Sequence, residues 1–247
     1  MEHDTLSDLL QAHWLLYDQV EQFISGEESK EQMPDFSSFA ESLAEKPADE
    51  FRESVDKANI SQLASLIRVC ELCPLSQTRL NAVPGMGVIN AKVMIIGEGP
   101  GEWEDKSGVP FVGRAGKFLD AWLQSISLSR DENVFITNIV KCRPPGNRNP
   151  KPEEEAACEM YLDKQISLVK PEAILCLGKV AGNHILQRQG TLSSMRGTFH
   201  QYRSIPLVVT YHPAAVLRNM SLRRDVWNDL KMLAAFLKLP LVTKRGT

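Results

Sequence analysis

Residues 97–105 read GEGPGEWED and follow directly on the apolar run Val93-Met94-Ile95-Ile96. A glycine-rich turn at the end of such a run is where α/β proteins cradle phosphate, because bare backbone N–H groups there face an incoming anion. This turn carries Glu98, Glu102, Glu104 and Asp105. Four carboxylates repel a phosphate, so the turn is built to hold something else.

The cysteines form a second constellation. Cys70-x-x-Cys73 is followed by Cys142 after 68 residues and by Cys158 after 15 more, while Cys176 stands alone in the run AILCLG and reads as core. In a reducing compartment, five cysteines argue for metal or cluster ligation, or plain burial, before they argue for disulfides. Four thiolates suit either zinc or a four-iron cluster, and this spacing does not decide between them. Two further segments place polar groups after apolar runs: FITNIVKCRPPGNRNP, with Asn138, and YHPAAVLR, with His212.

These residues need elements to position them. Extended runs at 93–96, 134–137, 173–177 and 207–211 alternate with helical patterns at about 116–127, 152–169, 179–187 and 222–237. Alternating strands and helices predict a three-layer α/β/α domain around a central, mostly parallel four-stranded sheet, with ligands beyond the carboxyl ends of the strands. The GEGPGEWED turn, Asn138 and His212 all fall at those ends, and three distant loops converging on one rim signal a site. A helix through Leu63, Leu66 and Ile67 runs into Cys70.

The domain is expected over 58–247, behind an extension at 1–57. Leu6, Leu9, Leu10, Trp14, Tyr17, Val20 and Ile24 have helical spacing, and the stretch from Ser25 to about Lys57 reads as a tether. Residues 1–60 hold 15 acidic and 4 basic side chains, net −11, and residues 61–247 hold 16 acidic and 24 basic, net +8. A basic folded part behind an acidic extension fits a nucleic-acid binder. No apolar run approaches the roughly 20 residues of a membrane helix, and the acidic start lacks the basic region of a signal peptide. The chain is therefore expected to be soluble, cytoplasmic and monomeric.

GEGPGEWEDKSGVPFVGRAG, FITNIVKCRPPGNRNPKPEE and YHPAAVLR, in that order, resemble the three signature segments of the family 4, iron–sulfur-containing uracil-DNA glycosylases. The resemblance spans about Cys70 to Leu237. It implies hydrolysis of the N-glycosidic bond between uracil and deoxyribose in DNA, which leaves an abasic site. Uracil departs as an anion while positive charge develops on the sugar, so carboxylates near the sugar help rather than repel.

By this resemblance Glu104 orients the attacking water with Glu98 beside it, and His212 donates to uracil O2. Gly99 stands where a related family has an aspartate base, which shifts the weight of catalysis to the leaving group. Asn138 accepts from uracil N3–H and donates to O4, and Phe111 stacks on the flipped base. Val216, Leu217 and Arg218 either fill the gap in the duplex or pack the last helix. Lys141, Arg143 and Arg148 either bind phosphates or solvate their loop.

The resemblance favours a [4Fe–4S] cluster on Cys70, Cys73, Cys142 and Cys158 over zinc. A noncatalytic or covalent uracil-DNA binder of the same superfamily is the alternative; its covalent branch carries a reactive histidine after the second strand, and KCRPPGNRNP has none. The extension is left for a partner protein or for competition with DNA phosphates, and Gln32-Met33-Pro34-Asp35-Phe36 faintly resembles bacterial sliding-clamp peptides.

Overall fold

The apolar runs become strands buried on both faces. In the computed structural model, which describes residues 51–242, β2 (Val93–Gly97), β3 (Val134–Asn138), β4 (Ala173–Leu177) and β6 (Ile205–Thr210) lie parallel. Continuous valine, isoleucine and leucine, without polar alternation, is what a doubly covered parallel sheet selects. Met94, Ile96, Ile174, Cys176 and Val209 point into one core, while Val93, Ile95, Leu175, Leu177 and Val208 point into another.

The sheet has six strands rather than the expected four, in the order β1-β3-β2-β4-β6-β5. The additional two are antiparallel edges: β1 (Met86–Gly87) beside β3, and β5 (Phe199–Tyr202) beside β6. Neither leaves a hydrophobic signature. β1 is two residues long and exposed, and β5 is an edge with His200 and Gln201 between two aromatics.

On one face lie α1 (Ile60–Arg68), α4 (Pro152–Val169) and α5 (Lys179–Ile185); on the other lie α3 (Arg114–Ser125) and α8 (Arg223–Phe236). Short helices α2 (Glu102–Ser107), α6 (Leu192–Met195) and α7 (Pro213–Arg218) complete the set. The α4 bounds are those expected from sequence. Proline in its first turn is pre-set for a helix start, and three glutamates there meet the positive end of the dipole.

The folded body begins ahead of residue 58. Residues 51–57 are helical, with Val55 buried in the core and the Phe51 ring edge-on to Tyr161 at 6.4 Å. The expected helix at Leu6–Ile24, the tether up to Glu50 and the peptide at 32–36 lie outside the described residues.

Strand register aligns the rim. Gly97 pairs with Asn138 and Leu177 with Thr210, so the loops that follow β2, β3, β4 and β6 emerge together. A buried carboxylate secures the last of these. Asp229 on α8 is 1% exposed and accepts from Thr210 Oγ1 at 2.7 Å, from Arg196 at 3.1 and 3.2 Å and from the Gly197 amide at 3.1 Å. Asp229→Ala strands the Arg196 guanidinium and the Thr210 hydroxyl, and should cost about 3–5 kcal/mol of stability in denaturant unfolding. Asp229→Asn should recover part of that loss.

Candidate active site

At this rim a cleft of about 440 Å³ is lined by Glu98, Gly99, Glu104, Phe111, Asn138, Arg148, His212 and Arg218. Eight of the residues singled out from sequence thus meet in one place. They arrive from the three segments that follow β2, β3 and β6, and each is held differently.

Asn138 closes β3 and is 1% exposed. Its Oδ1 is buried without a hydrogen-bond partner. Gly97 makes room for it on the neighbouring strand, since a Cβ there would fall 2.4 Å from Oδ1 and 2.8 Å from the Phe111 ring. Gly97 is therefore a site residue that the sequence reading passed over, and the glycine opening the GEGP segment was its only signal.

Phe111 is 6% exposed, and its ring lies 5.6 Å from that of His212 at 32°. Its φ of +54° is left-handed, a conformation that costs a non-glycine residue about 1–2 kcal/mol.

His212 is the N-cap of α7, and its Nδ1 accepts from the Ala214 amide at 3.1 Å. With Nδ1 an acceptor, the ring proton sits on Nε2. Burial, and then the Arg218 charge, push the imidazole pKa down to about 4, against an opposing pull from Glu104. The ring is thus a neutral Nε2–H donor at physiological pH.

The four carboxylates of the opening turn separate. Glu102 pairs with Lys106 on the exposed face of α2. Asp105 is buried and accepts from the Leu80 and Asn81 amides. Glu104 accepts from three amides: Gly101 on Oε2 at 3.1 Å, and Val112 and Gly113 on Oε1 at 2.9 and 3.1 Å. Of the four, Glu98 is the one whose carboxylate makes no hydrogen bond to the described residues, and burial, then the charge of Glu155, raise its pKa.

Two of the expected DNA contacts are corrected. Lys141 is 1% exposed, and its Nζ donates to Thr137 Oγ1 at 2.9 Å, Asn138 O at 2.6 Å and Gln165 Oε1 at 2.8 Å. It holds the strand end that carries Asn138 and offers no surface to a phosphate. Burial lowers its pKa to about 8. Val216 is fully buried in the core, so it packs rather than wedges.

The other candidates stay near the surface. Leu217 is half-buried and Arg218 exposed. Arg143 is half-buried and donates to Asn147 Oδ1, while Arg148 grips the buried carboxylate of Glu154 through two bonds at 2.6 and 2.8 Å.

Cys70, Cys73, Cys142 and Cys158 line a separate, small cavity of about 10 Å³, beside Lys141, Arg79 and Tyr161. Among the described residues no three His, Cys, Asp or Glu side chains converge within reach of a single ion. Arg79, which sequence reasoning missed, donates to Cys142 Sγ at 3.0 Å. The Tyr161 hydroxyl faces Cys70 without a hydrogen bond of ordinary geometry. Burial pushes the Cys158 thiol up to about 12 and raises Cys73 and Cys142 as well. Cys176 lies apart, within β4.

The chain is similar to known proteins. The family model described as the uracil DNA glycosylase superfamily matches residues 84–231. The type-4 uracil-DNA glycosylase of Pyrobaculum aerophilum is 44% identical over 182 residues, which covers 70% of this chain and 92% of that protein. The type-4 enzyme of Thermotoga maritima is 42% identical over 176 residues, covering 70% and 91%. A type-5 uracil-DNA glycosylase of Pyrobaculum aerophilum is 32% identical over 148 residues, covering 53% of this chain. With the family model spanning the segments that build the cleft and these identities covering most of both chains, the chain belongs to the type-4 uracil-DNA glycosylases of the uracil-DNA glycosylase superfamily.

Proposed function

We propose that this protein excises uracil from DNA by hydrolysing its N-glycosidic bond, the first step of base excision repair. The observation that carries the reading is the buried, unpartnered Oδ1 of Asn138, in a cleft that Asn138 lines together with the Phe111 ring and a neutral imidazole. A buried acceptor left empty costs roughly 1–3 kcal/mol, and a ligand N–H recovers it. Uracil N3–H is such a donor and cytosine N3 is not, so cytosine leaves the acceptor unpaired.

The base reaches the cleft by leaving the duplex, at a cost of a few kcal/mol. Phe111 then stacks on it and His212 Nε2–H meets O2. As the C1′–N1 bond breaks, its electron pair stays on uracil and negative charge gathers at O2. The His212 donor stabilises this anion, an interaction worth about 3–4 kcal/mol in comparable sites. Water adds through oxygen to C1′, and the proton it loses ends on the departed uracil anion or in solvent.

The bonding pattern supports the reverse of the order expected for the two glutamates. Glu104 spends its oxygens on three amides, whereas Glu98 faces the cleft with free lone pairs. We assign Glu98 to the water and the sugar cation. Glu104 shapes the turn that presents Phe111. Arg218 and Arg143 lie where phosphates of the strand would pass.

We also propose that Cys70, Cys73, Cys142 and Cys158 hold a [4Fe–4S] cluster. Four thiols line one cavity, a donor set that suits zinc or a four-iron cluster, and the family resemblance favours the cluster. Arg79 and Lys141 bring positive charge to thiolates that metal binding would generate. When bound, the cluster cross-links the end of α1, the loop after β3 and α4. The enzyme works in the cytoplasm as a monomer, since one chain supplies every group the cleft needs.

Incubating the protein with oligonucleotides that hold a single uracil should give alkali-labile abasic sites; intact strands would refute the assignment. His212→Ala should slow single-turnover cleavage about 100-fold while DNA affinity stays within a few-fold. Equal losses in binding and chemistry would count against a leaving-group role.

The depressed pKa of His212 has a sign. The unfolded chain takes up this proton as pH falls through about 6.5, whereas the folded ring resists until about pH 4, so its contribution to stability is intact above pH 6.5 and lost as pH falls toward 4. Side-chain NMR should show His212 neutral from pH 8 to about 5. Protein purified anaerobically should carry about four iron atoms per chain, and stoichiometric zinc without iron would overturn the cluster assignment.

A further inference from the structure

Phe111 holds a left-handed backbone that its own side chain disfavours, so its surroundings must impose it. The turn 110–113 is gripped from two sides by opposite charges. Its amides at Val112 and Gly113 donate to Glu104. Its carbonyls go to an arginine from a different part of the fold: Arg130 Nη1 donates to Pro110 O at 2.8 Å, and Nη2 to Phe111 O at 2.6 Å. The Phe111 carbonyl rests in a notch at Gly116, where a Cβ would lie 1.7 Å from it.

Arg130 is itself held. Its Nε donates to Asp120 on α3, and the side chain is 18% exposed. The turn that bears it, just ahead of β3, is closed by bonds from Asn133 and Glu132 amides to Ser129 O and from the Ser129 amide to Asn133 Oδ1. The guanidinium therefore has fixed direction and few free donors. In the basic folded part of the chain an arginine is read first as a phosphate contact, yet this one spends its donors on three carbonyls, that of Gly116 at 3.5 Å being the third, and a carboxylate.

The geometry points to Arg130 as a positioning residue for uracil recognition: through the Pro110 and Phe111 carbonyls it sets the ring of Phe111 where the flipped base must stack. Asp120 aims the guanidinium. The inference rests on the reading that Phe111 stacks on the base, and it adds a residue that never touches the DNA.

A double-mutant cycle in the full-length protein tests it, with single-turnover cleavage of a uracil oligonucleotide and affinity for a uracil-free oligonucleotide as readouts. Phe111→Ala should slow cleavage at least tenfold, the usual scale for losing a base-stacking aromatic. Arg130→Gln should slow it about tenfold alone, leave uracil-free affinity within about twofold, and add nothing in the Phe111→Ala background. Additive losses mean that Arg130 acts elsewhere, and weakened uracil-free binding means that it is a phosphate contact; either overturns the inference.

A Phe111→Ala protein that cleaves normally removes the stacking reading and the inference with it, whereas a slow Phe111→Ala beside a normal Arg130→Gln overturns the inference alone. Should Arg130→Gln fail to fold, Asp120→Asn should slow cleavage in the same uracil-dependent and non-additive way, and an unchanged rate there is equally decisive against it.

Discussion

A carbonyl oxygen sealed from water without a donor raises the energy of a folded protein, and Asn138 Oδ1 is in that state. The residues around it hold it there. Parallel pairing sets Gly97 beside Asn138, the missing side chain leaves room for amide and ring, and Lys141 ties down the Asn138 backbone carbonyl. The two glycosylase walls, Phe111 and His212, then close on the same point from loops that follow different strands. In the function proposed above, such a pocket is selective because its empty state is uncomfortable.

Charge is handled by separation. The acidic turn does not present four carboxylates to one ligand: Glu102 goes to solvent, Asp105 to the scaffold, Glu104 to backbone amides and Glu98 to the cleft. Several cations turn inward in the same way. Lys141 lies within the core beside the cysteine cavity, Arg79 meets a thiol, and Arg148 is chelated by a buried carboxylate. The net positive charge of the folded part is thus partly spent on structure, and what steers DNA is the remainder. The cysteine cavity and the base pocket also share a segment, since Asn138, Lys141 and Cys142 lie within one stretch of chain. Order at one end of that stretch constrains the other.

Much of this was legible without coordinates. The four parallel strands are legible because burial on both faces leaves continuous apolar runs, and α4 because a proline and three glutamates mark its start. The edge strands were silent, since a strand of two exposed residues and one mixing aromatics with polar groups carry no period to detect. Segment 102–107 read as turn and folds as helix, because its capping carboxylate, Glu104, finds its other partners eight and nine residues away.

Sequence by itself determined the residue types of the site, their order and the three-layer frame, because those follow from composition and periodicity over short windows. It could not say which way a charged side chain points. Lys141 and Arg143 stand two apart in one basic segment, yet one is buried against a threonine, a glutamine and a carbonyl while the other remains near the surface. Val216 and Leu217 are adjacent, and only the first enters the core. Arg130 gave no signal at all. Its role exists only because the fold brings the turn before β3 against the carbonyls of Phe111 and its neighbour, and hydrogen bonds between segments distant in sequence form only once tertiary packing sets their distance and direction.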